Sequence, residues 1–275
     1  MNTMTTRFRP MSRTLGLAAT VASLGLMAEV RAEEFAAIAS PPRFELSGKP
    51  GGVVREVLEI ANAGSTPAKY TVKTADWSFD ANSGVVFSDA LQPGSCRPWV
   101  AIERREINVP VRGKYRYRFE ISPPADAPRG ECRFALLISG DEQDVKTPNN
   151  ISFPVTGRLG VIIYVTIGDA QPDLEVVDTA VTKVAGEPVP VIRVRNNGDA
   201  HGRLAGFLSG VDASGRKIEF APSTLPILPK ETRALALVVN QEGDAPARRI
   251  VYPITIRGKL EWGDRVTPFE QRFSP

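Results

Sequence analysis

The chain has 275 residues, with 42% hydrophobic side chains, 23 prolines, 23 glycines and a formal charge of +3. That is enough apolar material for one large or two ordinary domains, too much for a disordered chain, and the Pro and Gly content suits a β protein with many turns. One histidine and two cysteines argue against a metal centre built from several nitrogen or sulfur ligands.

Residues 1–32 follow the plan of a cleavable secretory signal. Arg7, Arg9 and Arg13 supply a positive start, and an apolar run from Leu15 to Ala28 is interrupted only by Thr20 and Ser23. Val30-Arg31-Ala32 offers small or medium residues at −3 and −1, so cleavage is expected before Glu33. The apolar run is 14 residues long, short of the ~20 that span a bilayer. No later stretch is apolar enough to span, so no transmembrane anchor is expected after cleavage; a retained anchor is the alternative. Removal takes away four arginines and one glutamate and leaves 30 basic and 30 acidic residues. Bulk charge then favours neither nucleic acid nor a charged membrane surface. In an oxidising compartment Cys96 and Cys132, 36 positions apart, are expected to pair; two separate buried thiols are the alternative.

Beyond the signal, period-two patterning replaces helical periodicity. Strands are predicted at Val53–Ala61, Lys69–Trp77, Trp99–Glu103, Lys114–Ile121, Arg133–Ser139 and the long apolar run Ile151–Ile167. Asn62-Ala63-Gly64, Asn82-Ser83-Gly84, Pro123-Pro124 and Pro128-Arg129-Gly130 are turns between them. About seven strands over residues 33–168 predict an immunoglobulin-like sandwich. After a break at Gly168–Pro172 the pattern restarts with Leu174–Thr179, Val189–Arg195, Leu204–Gly210, Lys217–Phe220, Arg233–Val239, Ile250–Arg257 and Val266–Phe273, a second β-sandwich over residues 169–275. The expected fold is all-β: two tandem immunoglobulin-like sandwiches.

Enzyme templates do not fit, and no catalytic residues and no cofactor are expected. His201 lies in the turn Asn196–Gly202 and reads as an exposed turn histidine. Gly206-Phe207-Leu208-Ser209-Gly210 lacks the nucleophile-elbow spacing, and no phosphate-binding glycine loop occurs. Lys114, Arg116 and Arg118 form a basic strand face, read as solvated and as a guard against edge-to-edge pairing. Tyr115 and Tyr117 point away from it, unlike the stacking aromatics of a single-strand binder.

Residues 33–168 resemble the PapD-like periplasmic chaperones of pilus assembly. Arg43–Gly48 is similar to that family's first strand, Leu58–Asn62 with Pro67 to its second strand and turn, and Ala75-Asp76-Trp77 falls where a tryptophan is frequent. Trp99–Ile102 and Val109–Gly113 resemble the stretch leading to the fifth strand, and Ile151–Ile167 the last strand. The resemblance implies a periplasmic, non-enzymatic chaperone that binds a pilin-like or other secreted β-rich subunit by strand donation, with an outer-membrane usher as a further partner and no ATP. Ile151, Phe153 and Val155, behind a polar loop at Gly140–Asn150, would fill the client's groove; the alternative is that they face their own core. Arg43 would hold the client's terminal carboxylate. The family's second basic residue falls at Gly160, with Arg158 two residues earlier as its substitute; otherwise the anchor is incomplete. The chain departs from the family in having Ile138-Ser139-Gly140-Asp141 for Ile-Pro-Pro, Val165-Thr166-Ile167 for the closing Arg-Pro, and Pro154 inside the donor strand. A non-enzymatic envelope or surface adhesion module on the same fold is the competing reading.

Overall fold

Alternating side chains set the strands, and where both sides of a strand are covered the alternation gives way to apolar runs. The computed structural model describes residues 35–80, 82–146, 151–184, 186–240 and 249–275. The expected signal segment lies outside them, as do residues 147–150 of the expected polar loop. The first half contains β1 (Ala37–Ser40), β2 (Arg43–Gly48), β3 (Val54–Asn62), β4 (Ala68–Phe79), β5 (Val85–Ser88), β6 (Val100–Ile102), β7 (Glu106–Val109), β8 (Lys114–Ile121), β9 (Gly130–Ser139), β10 (Gln143–Lys146), β11 (Ser152–Val155) and β12 (Arg158–Ile167). The second half contains β13 (Leu174–Val184), β14 (Glu187–Asn196), β15 (Ala205–Val211), β16 (Lys217–Pro222), β17 (Thr232–Val239), β18 (Ile254–Trp262) and β19 (Arg265–Phe273). Among the described residues the one helical turn is a 3₁₀ segment at Arg97–Trp99, and no helix is long and apolar enough to cross a membrane.

A sheet ordered β1-β3-β8-β6 faces one ordered β2-β12-β9-β4-β5, with β7 also on β4. Tyr117, Phe119 and Ile121 of β8 pack against Phe134, Leu136 and Ile138 of β9 and Val161, Ile163 and Val165 of β12. Lys114, Arg116 and Arg118 point outward. β8 runs between β3 and β6, so its charges guard no edge; Lys114 pairs with Glu59 and Arg118 with Glu103 instead. Cys96 and Cys132 form a disulfide with Cα atoms 5.2 Å apart, which rules out two separate thiols.

The larger of these sheets is covered on both faces. Ala75, Trp77, Ala135, Leu137 and Tyr164 form a second buried cluster on the side away from the sandwich core, closed by Phe79, Phe87, Ile162 and, from the second half, Leu228. This explains why Phe134–Ile138 and Val161–Ile167 read as continuous apolar runs. The second half is a seven-stranded antiparallel sheet ordered β13-β14-β17-β16-β15-β18-β19, wrapped around Leu208, Phe220, Leu235, Ile256 and Phe273.

The predicted strand Ile151–Ile167 is two strands. β11 pairs with β10, and β12 with β9, as two segments of one long hairpin. Gly140 N–H still bonds Gly157 O across the interruption. There the Phe35 ring fills the space a side chain would need: a Cβ on Gly157 would sit 2.2 Å from it. Part of the expected loop, Gln143–Lys146, is therefore strand β10.

Candidate functional site

Two features stand apart from the packed cores. The first is the β10–β11 hairpin, a two-stranded sheet of its own. Ile151, Phe153 and Val155 are 60%, 42% and 46% exposed, so they do not face their own core. They share one face by strand alternation, with Ser152 and Pro154 on the other. β10 covers one edge of β11, and no strand covers the other among the described residues. The same edge continues into β12, where β2 pairs only from Ile162 onward, in parallel and starting at Arg43. Among the described residues, therefore, no strand pairs with this side of β11 or with β12 before Ile162, where the pairing starts at Arg43.

The second feature is a charged cluster around Tyr164, where that edge stops. The parallel register sets Arg43 beside Ile162 and Glu45 beside Tyr164, so both charged side chains lie on the face that meets the second half. His201 lies over the ring of Tyr164, with centroids 3.8 Å apart and planes tilted by 22°. Its Nδ1 is 2.5 Å from Glu131 Oε2, and its backbone N–H donates to the same oxygen at 2.9 Å. The Glu131 side chain is fully buried and that of His201 is 10% exposed. The reading of His201 as an exposed turn histidine is therefore overturned: the turn is local, but its histidine is clamped against β9 and β12. Nearby, Arg233 lies 4.1 Å above the Phe79 ring and Arg133 5.5 Å from that of Trp77.

Glu45 Oε1 lies 2.8 Å from Arg43 Nε, 3.5 Å from Arg203 Nε and 3.6 Å from His201 Nε2. Partial burial works to raise the Glu45 carboxyl, but His201, Arg43 and Arg203 outweigh it and hold it below the usual carboxylate value. Burial pushes the Tyr164 hydroxyl up to about 12.

The remaining expected anchor does not join this cluster. Arg158 is four residues before Ile162 on β12, about 13 Å away at ~3.3 Å per residue, and pairs across to Ser139. Its charge acts on Asp89, whose carboxyl is held low first by Lys73 and more weakly by Arg158 and Arg97. At Gly160 a Cβ would sit 2.2 Å from the Phe87 ring, which occupies the space a lysine would use. The cation beside Arg43 is instead Arg203, from the second half. Sequence reasoning missed Arg203, Glu131 and Tyr164. The one available signal was Arg43-x-Glu45, opposite charges on the same face of a strand.

A scan against protein-family models finds no match, and a search of curated proteins finds none either. Solved structures do resemble the chain. One is a chain of the Salmonella enterica SafA pilin–SafB chaperone complex, at 13% identity and TM-score 0.46, covering 87% of this chain and 97% of that one. Another is the E. coli chaperone DraB, at 11% identity and TM-score 0.43, covering 87% and 97%. A third is the Pseudomonas aeruginosa CupB2 chaperone, at 12% identity and TM-score 0.42, covering 86% and 100%. Fimbrial chaperones are thus among the solved proteins this all-β chain is similar to, across most of its length and nearly all of theirs.

Proposed function

We propose that this chain is a non-enzymatic, periplasmic chaperone that holds a secreted, β-rich, pilin-like subunit by lending it a strand, after removal of residues 1–32. One observation carries the reading: Phe153 and Val155 are solvent-exposed at alternate positions of β11, whose second edge no strand covers among the described residues, and Ile151, just before it, is exposed as well. Exposed alternating apolar side chains on an open edge are the requirements of β-strand addition, in which backbone bonds give affinity and side chains give register. Such an edge is otherwise an aggregation hazard. The Pro154 ring removes one backbone donor from that edge and narrows the registers a partner can adopt. A client strand laid along the edge would end at Arg43, whose guanidinium is the group suited to a chain-terminal carboxylate. An outer-membrane usher that receives the subunit completes the scheme.

Phe153→Asp tests it. The variant should unfold within about 0.5 kcal/mol of the wild type, because the side chain is outside both cores. It should also fail to co-purify, from a periplasmic extract, the β-rich subunit that the wild type carries. Recovery of the same subunit with the variant would overturn strand donation, and a wild type released at the cell surface as a free monomer would favour the adhesion module.

A further inference from the structure

Two guanidinium groups and one imidazole, from two distant stretches of the sequence, converge on one oxygen, Oε1 of Glu45, at 2.8 to 3.6 Å. Convergent guanidinium and imidazole groups are the geometry with which proteins hold carboxylates. Here the occupant is a side chain of the same strand, two residues from Arg43.

The fit is incomplete in an informative way. Arg203 is fixed from behind by its Nη1 donating to Thr224 O at 2.6 Å. Its Nε is buried, lies 3.5 Å from Glu45 Oε1 and makes no hydrogen bond. A buried donor left in that state is costly, and a carboxylate free of the Glu45 tether can seat against it. Arg43 and Glu45 are each 46% exposed, so their mutual attachment is of the weak, water-screened kind and can be exchanged.

We propose that Glu45 is a resident carboxylate that occupies, and thereby gates, a binding site for ligand carboxylates formed by Arg43, Arg203 and His201. The ligand enters as Glu45 turns out to water, so Arg43, Arg203 and His201 Nε2 face one carboxylate before and after, while Glu131 stays on His201 Nδ1. A lone small carboxylate competes poorly with a tethered one. A carboxylate carried on a strand already seated along Ser152–Val161 competes well, because attachment gives it a high effective concentration. Glu45 thus rejects ligands that bring the charge without the strand. The identity of the ligand as a subunit's chain terminus rests on the strand-donation reading; the displacement of Glu45 does not.

His201 is the only histidine, so its ring resonances report on the cluster without overlap. Sodium acetate, titrated at neutral pH into the purified chain at constant ionic strength set with chloride, should shift those resonances saturably in Glu45→Gln. The apparent affinity should exceed that of the wild type by about tenfold, one ion pair's worth of competition. Adding Arg43→Gln to Glu45→Gln should abolish the saturable shift. Identical titrations of wild type and Glu45→Gln would overturn the proposal, as would a response that survives Arg43→Gln. Acetate requires no client: gating by Glu45 without any captured subunit would sink strand donation alone, and a subunit captured by a chain whose Glu45→Gln form titrates like wild type would sink the gate alone.

Discussion

Among single residues, the His201–Glu131 pair shows how much a local reading can miss. The motif around His201 is a turn by every nearby residue, and its partner lies 70 positions away. Nothing in the spacing connects them; only the docking of the two halves does. Because the Glu131 side chain is fully buried, removing the imidazole takes away one of the two His201 groups on Oε2 and leaves the backbone N–H. His201→Ala should therefore cost about 2 kcal/mol in urea unfolding. The double variant with Glu131→Ala should cost less than the sum of its single changes, by at least about 1 kcal/mol. Strict additivity would show that the pair does no joint work. Gly160 teaches the reverse lesson. As a letter it is a missing lysine, whereas in the fold it is the space that lets Phe87 close the second face of the sheet.

Individual strands were legible in proportion to how differently their two faces are treated. β8 matches its predicted bounds, Lys114–Ile121, because one face is core and the other is water. β9 and β12 were seen as apolar but without internal detail, since covering both faces erases alternation. For the same reason the break between β11 and β12 went unseen: it is made by the Phe35 ring against Gly140 and Gly157, a contact between ends of the domain. β1, β5 and β7, four residues each, are too short to carry a period. The predicted strand Ile250–Arg257 starts instead at Ile254, just after Pro253, which has no N–H for a ladder. The disulfide joins the Cys96 segment to β9 and closes a loop of 36 residues. Chain entropy assigns such a closure roughly 3–4 kcal/mol. Cys96→Ser with Cys132→Ser should lose about that much in denaturant unfolding, and the wild type under reductant should match the double variant. A change below about 1 kcal/mol would mean that the packed core already fixes these segments without the bridge.

For the whole molecule, three hydroxyls tie stability to alkaline pH. Burial pushes Tyr117, Tyr164 and Tyr252 each up to about 12. They come from the core of the first half, from the surface where the halves meet, and from the second half. An unfolded tyrosine ionises near 10, so the fold favours the neutral form. Their contribution is complete below pH 10 and is lost as pH rises toward 12. The urea midpoint should accordingly be flat up to about pH 9.5 and fall between pH 10 and 12, with phenolate absorbance from these tyrosines rising together with unfolding. Early, independent ionisation of all five tyrosines would contradict the burial.

The two-segment hairpin has a consequence of another kind. Its base, β9 with β12, belongs to the core, while among the described residues no side chain of its tip, β10 with β11, belongs to either packed cluster. On the strand-donation reading, folding and recognition are written in separate segments of one long hairpin. Strands β10 and β11 can then vary in sequence without the sandwich registering the change. On that same reading the tip is an interchangeable cassette mounted on a fixed frame, the place where a preference for one client over another would be set.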